Sequence, residues 1–290
     1  MVARVAQDAG VRALAIKGPI AAHYGLRTSN DCARDVDVIV APGGVSRLIS
    51  RLLTLGWEVV EPTEGAMIVP LHSLALRHVM WPCELDIHHA FPGFLNNAAQ
   101  VFESLWAGRS RVDLAACTIA APGKPGVYLI EALHDLRDPS FHRSRRRLLE
   151  SRIEQLGDPA GLVGLAVSTG SLATAWPVLG RFAGPELEPD WVALRGQKQY
   201  QRWFLRVRSK NVPMVSAIYG VMASEMSMRD RIDHLRKVLF LNEREVMAKA
   251  PDLVNKPLAL PRAHVRRWGR GFKALPWAYR TLRAAVRENG

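Results

Sequence analysis

The sequence predicts an α+β fold in which a small mixed β-sheet with associated helices precedes a mostly helical C-terminal region. The first 95 residues alternate short β-type runs with helical periodicity, whereas residues after about 125 show helical spacing. Of the 290 residues, 48% are apolar and 23% are charged, a composition that excludes a disordered chain. We predict a core domain over residues 1–122, a helical domain over 123–256 and a basic, aromatic-rich tail over 257–290.

The first elements follow from short apolar runs and the turns between them. Residues 13–16 read Ala-Leu-Ala-Ile, which is typical of a buried strand, and a Lys-Gly-Pro turn at 17–19 ends it. Because proline suits the first turn of a helix, a helix is predicted over 20–24. Residues 35–40 alternate polar and β-branched side chains before becoming apolar, which predicts a half-buried strand.

The remaining elements continue the alternation and then become helical. After a Pro-Gly-Gly break, apolar residues recur on one helical face over 45–55, and Gly56 suits the end of that helix. Three further strands are predicted, over residues 57–60, 74–81 and 83–91. Six helices are predicted after them, over residues 127–136, 145–156, 161–182, 197–207, 212–226 and 230–248. Residues 258–290 are predicted to be a helix or a segment that orders on binding a partner.

The net charge of +12 is concentrated in the last third of the chain. Residues 195–290 hold 21 basic and 7 acidic side chains, a net charge of +14, and aromatic residues lie between the basic ones. This mixture favours RNA or tRNA as a partner. A peripheral membrane surface or an acidic protein partner is the alternative, and a solubilising face with buried aromatics stays open.

Other sequence features limit the class of protein. The longest apolar run, at 212–223, is about half the roughly 20 residues that span a bilayer, so no transmembrane segment is expected. The three cysteines form no CxxC motif, which argues against a disulfide framework or a thiolate zinc site. Without a secretion signal, the protein is expected to be cytoplasmic.

Two carboxylates carry the strongest chemical signal. Asp35 and Asp37 are two residues apart on a predicted strand, so they share a face, where they repel each other unless a cation lies between them. Mg²⁺ suits such oxygen ligands, and Asp86 on a later strand offers a third carboxylate. The alternative interpretation is that Asp35 and Asp37 are two exposed acidic residues at the start of a strand and bind no metal. Lys17 and Gly18, at the start of a helix, offer a positive charge and a close backbone approach to a phosphate.

In this order, the motifs resemble the DNA polymerase β-type nucleotidyltransferase superfamily. The closest resemblance is to uncharacterised bacterial nucleotidyltransferases with an LKG…R…DiDllv…DlHw pattern, over roughly residues 10–95. The matching elements here are Ile16-Lys17-Gly18, Arg27, the strand at 35–40 and the run Leu85-Asp86-Ile87-His88-His89. The family's usual arginine, about four residues before the first aspartate, is Asp31 here, so Arg27 and Arg34 are the candidates for contacting phosphate.

The resemblance implies transfer of a nucleoside monophosphate from an NTP to an acceptor hydroxyl, with release of pyrophosphate. It implies two Mg²⁺ ions, or Mn²⁺, held by Asp35, Asp37 and Asp86. The implied nucleotide-binding residues are Lys17, Gly18, Arg27, Arg34 and His88, and His88 is expected to orient Asp86 or to contact the acceptor.

The identity of the acceptor stays open at this point. RNA or tRNA is favoured by the basic tail, and a protein hydroxyl, as in toxin-like relatives, or a small molecule is the alternative. Two other interpretations also stay open. One is a catalytically silent binding module that keeps the fold, and the other is an RNA-binding protein with an incidental DxD motif.

Overall fold

The computed structural model describes most of the chain and divides it into two compact units. The first unit comprises Met1–Val60 and His72–Tyr200, and the second comprises the remaining residues. The domain boundaries predicted at residues 122 and 256 stay predictions. The described residues are 1–27, 35–60, 72–114, 117–137, 143–195, 197, 199, 200, 203, 204, 207, 228, 229, 232, 236, 239, 240, 243, 250–253 and 256–287.

The predicted α+β class is confirmed by a mixed five-stranded sheet in the first unit. Its strands are β1 (Ala13–Ile16), β2 (Asp35–Val40), β3 (Glu58–Val59), β4 (Ser73–Arg77) and β5 (Glu84–His88). The spatial order is β1-β2-β5-β4-β3, in which only β2 and β5 run parallel and the other neighbours are antiparallel. The two strands with the acidic motifs are therefore direct neighbours near the centre of the sheet.

One face of this sheet forms the apolar core. Val38 and Val40 from β2 pack with Leu85 and Ile87 from β5, and all four are buried. Two helices cover this face, namely α1 (Val2–Asp8) and α3 (Val45–Leu53), with Leu48 and Leu52 fully buried. Because side chains alternate along a strand, the aspartates of β2 and β5 point to the opposite face.

The helix α2 (Gly18–His23) follows β1 directly, as predicted, with proline in its first turn. The strands predicted at 74–81 and 83–91 are shorter than expected, because residues 78–83 turn between β4 and β5. Three elements between residues 98 and 121 were not predicted: α4 (Ala98–Ala107) and a hairpin of β6 (Ser110–Leu114) and β7 (Cys117–Ala121).

The helices that follow also differ in part from the prediction. The predicted helix at 161–182 is two helices, α7 (Pro159–Ser168) and α8 (Leu172–Leu179), because Gly170 adopts a φ of +68° between them. A side chain at Gly170 would lie 2.8 Å from the backbone nitrogen of Asn96, so the break needs glycine. The other helices of this unit are α5 (Lys124–Leu136), α6 (Arg143–Glu154) and the unpredicted α9 (Glu188–Arg195).

The second unit contains one long described helix, α10 (Ala259–Arg287). Ala263 of this helix packs into a small apolar cluster with Ala250, Leu253 and Leu260. The helices predicted at 197–207, 212–226 and 230–248 fall wholly or in part on residues outside those described. No helix among the described residues is long and apolar enough to cross a membrane.

Candidate metal centre

The register between β2 and β5 brings the predicted carboxylates together. Asp37 lies directly opposite Asp86 on the adjacent parallel strand, and Asp35 lies opposite Glu84. Neighbouring strands are about 4.8 Å apart, so Asp37 and Asp86 stand side by side on the face away from the apolar core. The pairing of these two strands thus provides the arrangement of acids that the spacing alone only suggested.

Asp37 is the buried centre of the group. Its Oδ1 atom lies 2.5 Å from Nζ of Lys17 and 2.7 Å from Nε2 of His88. The exposed fractions of the three residues are 9% for Lys17, 5% for Asp37 and 1% for His88. Because an ionised carboxylate only accepts hydrogen bonds, both neighbours donate to the same oxygen. The three residues therefore form a compact buried triad around one carboxylate oxygen.

The surroundings shift the pKa values of the two aspartates in opposite directions. Burial alone would raise the pKa of Asp37, but the hydrogen bond from His88 and the charge of Lys17 outweigh it, and the pKa is lowered. Burial raises the pKa of Asp86; His88 opposes this effect, and the charges of Asp37 and Asp35 add to it. Asp37 is thus held as a carboxylate, whereas burial disfavours the charged form of Asp86, and the opposing charges of His88 and Lys17 do not fully compensate for it.

Lys17 reaches Asp37 because of an unusual backbone conformation. The antiparallel pairing of β1 with β2 places Ile16 opposite Asp37, and Lys17 follows immediately. Lys17 has a φ of 56°, which is rare for a residue other than glycine and which redirects the chain from β1 into α2. Its ammonium group also lies 5.5 Å from the ring centroid of Phe91, a cation–π distance. Backbone strain of this kind clusters at functional sites.

Asp37, Asp86 and His88 form a group suited to a divalent cation. One ligand atom from each of the three lies within 4.8 Å of the others, and no other such group occurs among the described residues. Two carboxylates suit Mg²⁺ or Mn²⁺, and the additional imidazole is a ligand that transition metals such as Zn²⁺ and Fe²⁺ also accept. In addition, Nδ1 of His88 is buried and has no hydrogen-bond partner among the described residues, and such orphaned atoms are rare in structural cores.

The other predicted site residues have different positions. Asp35 is half-buried two residues before Asp37 and contributes charge to the site, but it does not belong to the three-residue group in the described structure. Gly18 is the first residue of α2, beside Lys17. His88 contacts Asp37, whereas the sequence suggested that it orients Asp86 or contacts the acceptor. Arg34 lies outside the described residues.

Arg27 forms a bidentate ion pair with Glu131 of α5. Its Nε and Nη2 atoms lie 2.9 and 3.3 Å from the two carboxylate oxygens. Glu131 is only 5% exposed, and Arg27 supplies its counter-charge. The pair lines a cavity of about 310 Å³ that also contains His134 and Arg152. A phosphate contact by Arg27 stays a prediction.

The change Arg27→Met is expected to lower the free energy of unfolding by about 2 kcal/mol, since it leaves the buried Glu131 unpaired. Urea unfolding of the full chain measures this. Arg77→Met is the matched control, because Arg77 pairs with Glu58 at an exposed position, where a salt bridge contributes below about 1 kcal/mol. Equal losses for the two variants would contradict the structural role of the Arg27–Glu131 pair.

Phe91 and the Asp37–His88 contact were missed at the level of sequence. Phe91 packs 5.8 Å from the His88 ring and lies below the Lys17 ammonium group. Its only signal was its position three residues after His88 in an apolar run. The hydrogen bond from His88 to Asp37 was not predictable, because strand alternation gives the face on which a side chain lies but not its neighbour on the adjacent strand.

Comparisons with known proteins do not identify a family for this chain. No family model matches the chain, and no curated protein matches it. The functional case therefore depends on the residues of the site.

Proposed function

We propose that the protein is an Mg²⁺-dependent nucleotidyltransferase that moves a nucleoside monophosphate from an NTP to an acceptor hydroxyl and releases pyrophosphate. The observation that supports this is the side-by-side position of Asp37 and Asp86 on parallel strands, with Lys17 at hydrogen-bonding distance from Asp37. Phosphoryl transfer depends mostly on positioning and on charge stabilisation, and these residues offer both.

The donor set fits a divalent cation, which Asp37 and Asp86 would hold together with His88 or Asp35. When bound, such an ion supplies charge stabilisation to the phosphoryl oxygens and lowers the pKa of the attacking hydroxyl. Asp86 is half-buried and has no hydrogen bond to a described side chain, so it is the carboxylate placed to accept the proton of that hydroxyl. Asp37 is already engaged by two donors and serves to hold the ion.

Lys17 and Gly18 form the proposed phosphate-binding turn. The Lys17 ammonium group lies beside the acidic pair, where the triphosphate must approach the metal. The β- and γ-phosphates would draw this ammonium group from Asp37, because their negative charge exceeds that of one carboxylate. Gly18 leaves the start of α2 open to close approach. Lys17 thus has two roles, as counter-ion of Asp37 and as phosphate ligand.

A catalytically silent binding module is the second candidate, and one observation favours it. Lys17 already neutralises Asp37 within the buried triad, as a metal ion would do. A fold that keeps this internal ion pair needs no metal for stability. Nucleotide or metal binding without transfer would identify this candidate.

Asp86→Asn is the sharpest variant for a test, because it leaves the Lys17–Asp37–His88 triad intact. The full chain is incubated with each α-labelled NTP, with Mg²⁺ or Mn²⁺, and with total tRNA or a cell lysate as acceptor. We expect label transfer by the wild type and a loss of at least about a hundred-fold in Asp86→Asn. Asp113→Asn, which removes an exposed strand carboxylate on β6, is the matched control and should keep full transfer.

The same variant is expected to be more stable than the wild type. Asp86→Asn removes a half-buried charge that the folded protein disfavours, mainly because of its burial, which should raise Tm by about 1–4 °C in metal-free buffer at neutral pH. Adding Mn²⁺ or Mg²⁺ should raise Tm of the wild type but not of Asp86→Asn. Transfer that survives in Asp86→Asn would overturn the metal assignment. Metal-dependent stabilisation without transfer of any NTP would favour the silent module.

A further inference from the structure

The helix α10 carries an apolar stripe that faces solvent. Val265, Phe272 and Tyr279 are 64%, 63% and 64% exposed, and Leu258, directly before the helix, is 69% exposed. These four residues, the apolar stripe, are seven residues apart. Successive helical residues are about 100° apart, so Val265, Phe272 and Tyr279 lie within about 40° of one another and extend over about 21 Å. None of the residues that the structure describes covers this stripe.

A basic flank runs beside the apolar stripe. By the same helical geometry, four exposed basic residues lie about 60–100° around the helix from Val265, on one side of the stripe: Arg262, Arg266, Lys273 and Arg280. Residues 259–287 contain eight arginine and lysine residues and no acidic residue. Arg266 pairs with Asp252, and the other three show no ion pair in the described part of the chain.

An apolar cleft adjoins the stripe. Leu239, Phe240, Trp268 and Phe272 line a cavity of about 230 Å³. The indole nitrogen of Trp268 donates to the carbonyl oxygen of Leu239 at 2.9 Å, so its polar atom is satisfied within the protein. The surface that the cleft offers to a ligand is therefore hydrocarbon, on the side of the stripe away from the basic flank.

We propose that α10 lies on the surface of an anionic lipid bilayer, with the apolar stripe at the level of the acyl chains and the basic flank at the headgroups. An exposed apolar face with a basic flank is the pattern of helices that lie in the interface plane. Each arginine or lysine near an anionic surface adds about 1 kcal/mol of attraction. The adjoining cleft provides a second hydrocarbon contact for a lipid chain.

Two other occupants fit the same surface less well. A second copy of α10 would bring two helices with eight positive charges each into contact without any acidic partner, which is repulsive. Single-stranded RNA matches the charge, but bases need aromatic platforms for stacking, and two of the four stripe residues, Leu258 and Val265, are aliphatic. The aliphatic part of the stripe therefore favours lipid over RNA.

Co-sedimentation of the full chain with lipid vesicles tests the proposal. We expect binding to vesicles of phosphatidylcholine mixed with phosphatidylglycerol, weak binding to phosphatidylcholine alone, and weaker binding at high salt. The double variant Val265→Ser/Phe272→Ser should bind at least about ten-fold more weakly. Arg262→Gln/Lys273→Gln should bind about 30-fold more weakly, which corresponds to about 2 kcal/mol for two charges.

The matched control is Val79→Ser/Met80→Ser, which removes a still more exposed apolar pair from the turn between β4 and β5. This control should bind like the wild type, and circular dichroism should show unchanged helix content in all variants. Asp86→Asn should also bind like the wild type, since the lipid surface does not depend on the proposed transfer activity. The proposal is overturned by absent binding to anionic vesicles, by equal loss in the control, or by tighter binding to a single-stranded RNA oligonucleotide than to vesicles.

Discussion

Replacing Asp37 by alanine is expected to lower the free energy of unfolding by about 3–5 kcal/mol and to abolish nucleotide transfer. The change leaves the Lys17 ammonium group buried without its counter-charge and the His88 Nε2 proton without its acceptor. Urea unfolding at neutral pH measures the loss of stability, and label transfer, normalised to the folded fraction, measures the loss of activity. Asp113→Ala, at an exposed strand position where the carboxylate accepts only a hydrogen bond from Thr118, should change stability by less than about 1 kcal/mol.

The stabilising effect of Asp37 is expected to decrease as the pH falls. Since the pKa of Asp37 is lowered in the folded state, its carboxylate contributes stability above its ordinary value of 3.8, and this contribution is lost as the pH falls through the lower folded value. The stability difference between wild type and Asp37→Ala should therefore shrink in acid. A difference that stays constant at acidic pH would contradict the ion-pair origin of the effect.

Lys17→Met is expected to lower the free energy of unfolding by about 3 kcal/mol, because it leaves a negative charge rather than a positive one without its partner. It leaves the Asp37 carboxylate buried with His88 as its remaining partner. A divalent cation should then restore the missing positive charge, so Mg²⁺ or Mn²⁺ should raise Tm of Lys17→Met by more than it raises Tm of the wild type. Thermal unfolding with and without metal measures this difference.

A double variant provides the control for both single changes. In Lys17→Met/Asp37→Leu, apolar side chains replace both charges, and such replacements are often close to neutral because no unpaired charge stays buried. The double variant should thus be more stable than either single variant. Additive losses of the two single changes would mean that Lys17 and Asp37 do not stabilise the fold as a pair.

The strands that carry the site were predictable because each has a local pattern. The alternation in Asp35-Val36-Asp37 and in Leu85-Asp86-Ile87 specified both strand structure and the face of each carboxylate. The turn at Lys17 was recognisable for a similar reason, since proline and glycine punctuate a chain locally. Local sequence patterns were therefore sufficient to predict these strands and this turn.

The contacts between these elements were not predictable from the same patterns. The parallel pairing of β2 with β5, which places Asp37 opposite Asp86, depends on how the whole sheet assembles. The burial of Glu131 was not predictable either, because its partner Arg27 is 104 residues away in the chain. The hairpin of β6 and β7 was missed since its residues show neither a clear two-residue alternation nor a strong turn signal.

The pairing of β2 with β5 also has a consequence for how the protein folds. The antiparallel pair β4–β5 joins strands that are close in sequence, whereas β2 must find a strand about 50 residues further along the chain. Non-local strand pairing forms slowly, because the entropy of closing the intervening loop is lost before the contacts compensate for it. We therefore expect Asp37 and Asp86 to meet late in folding, so a chain that has not yet formed its central sheet lacks the proposed metal centre.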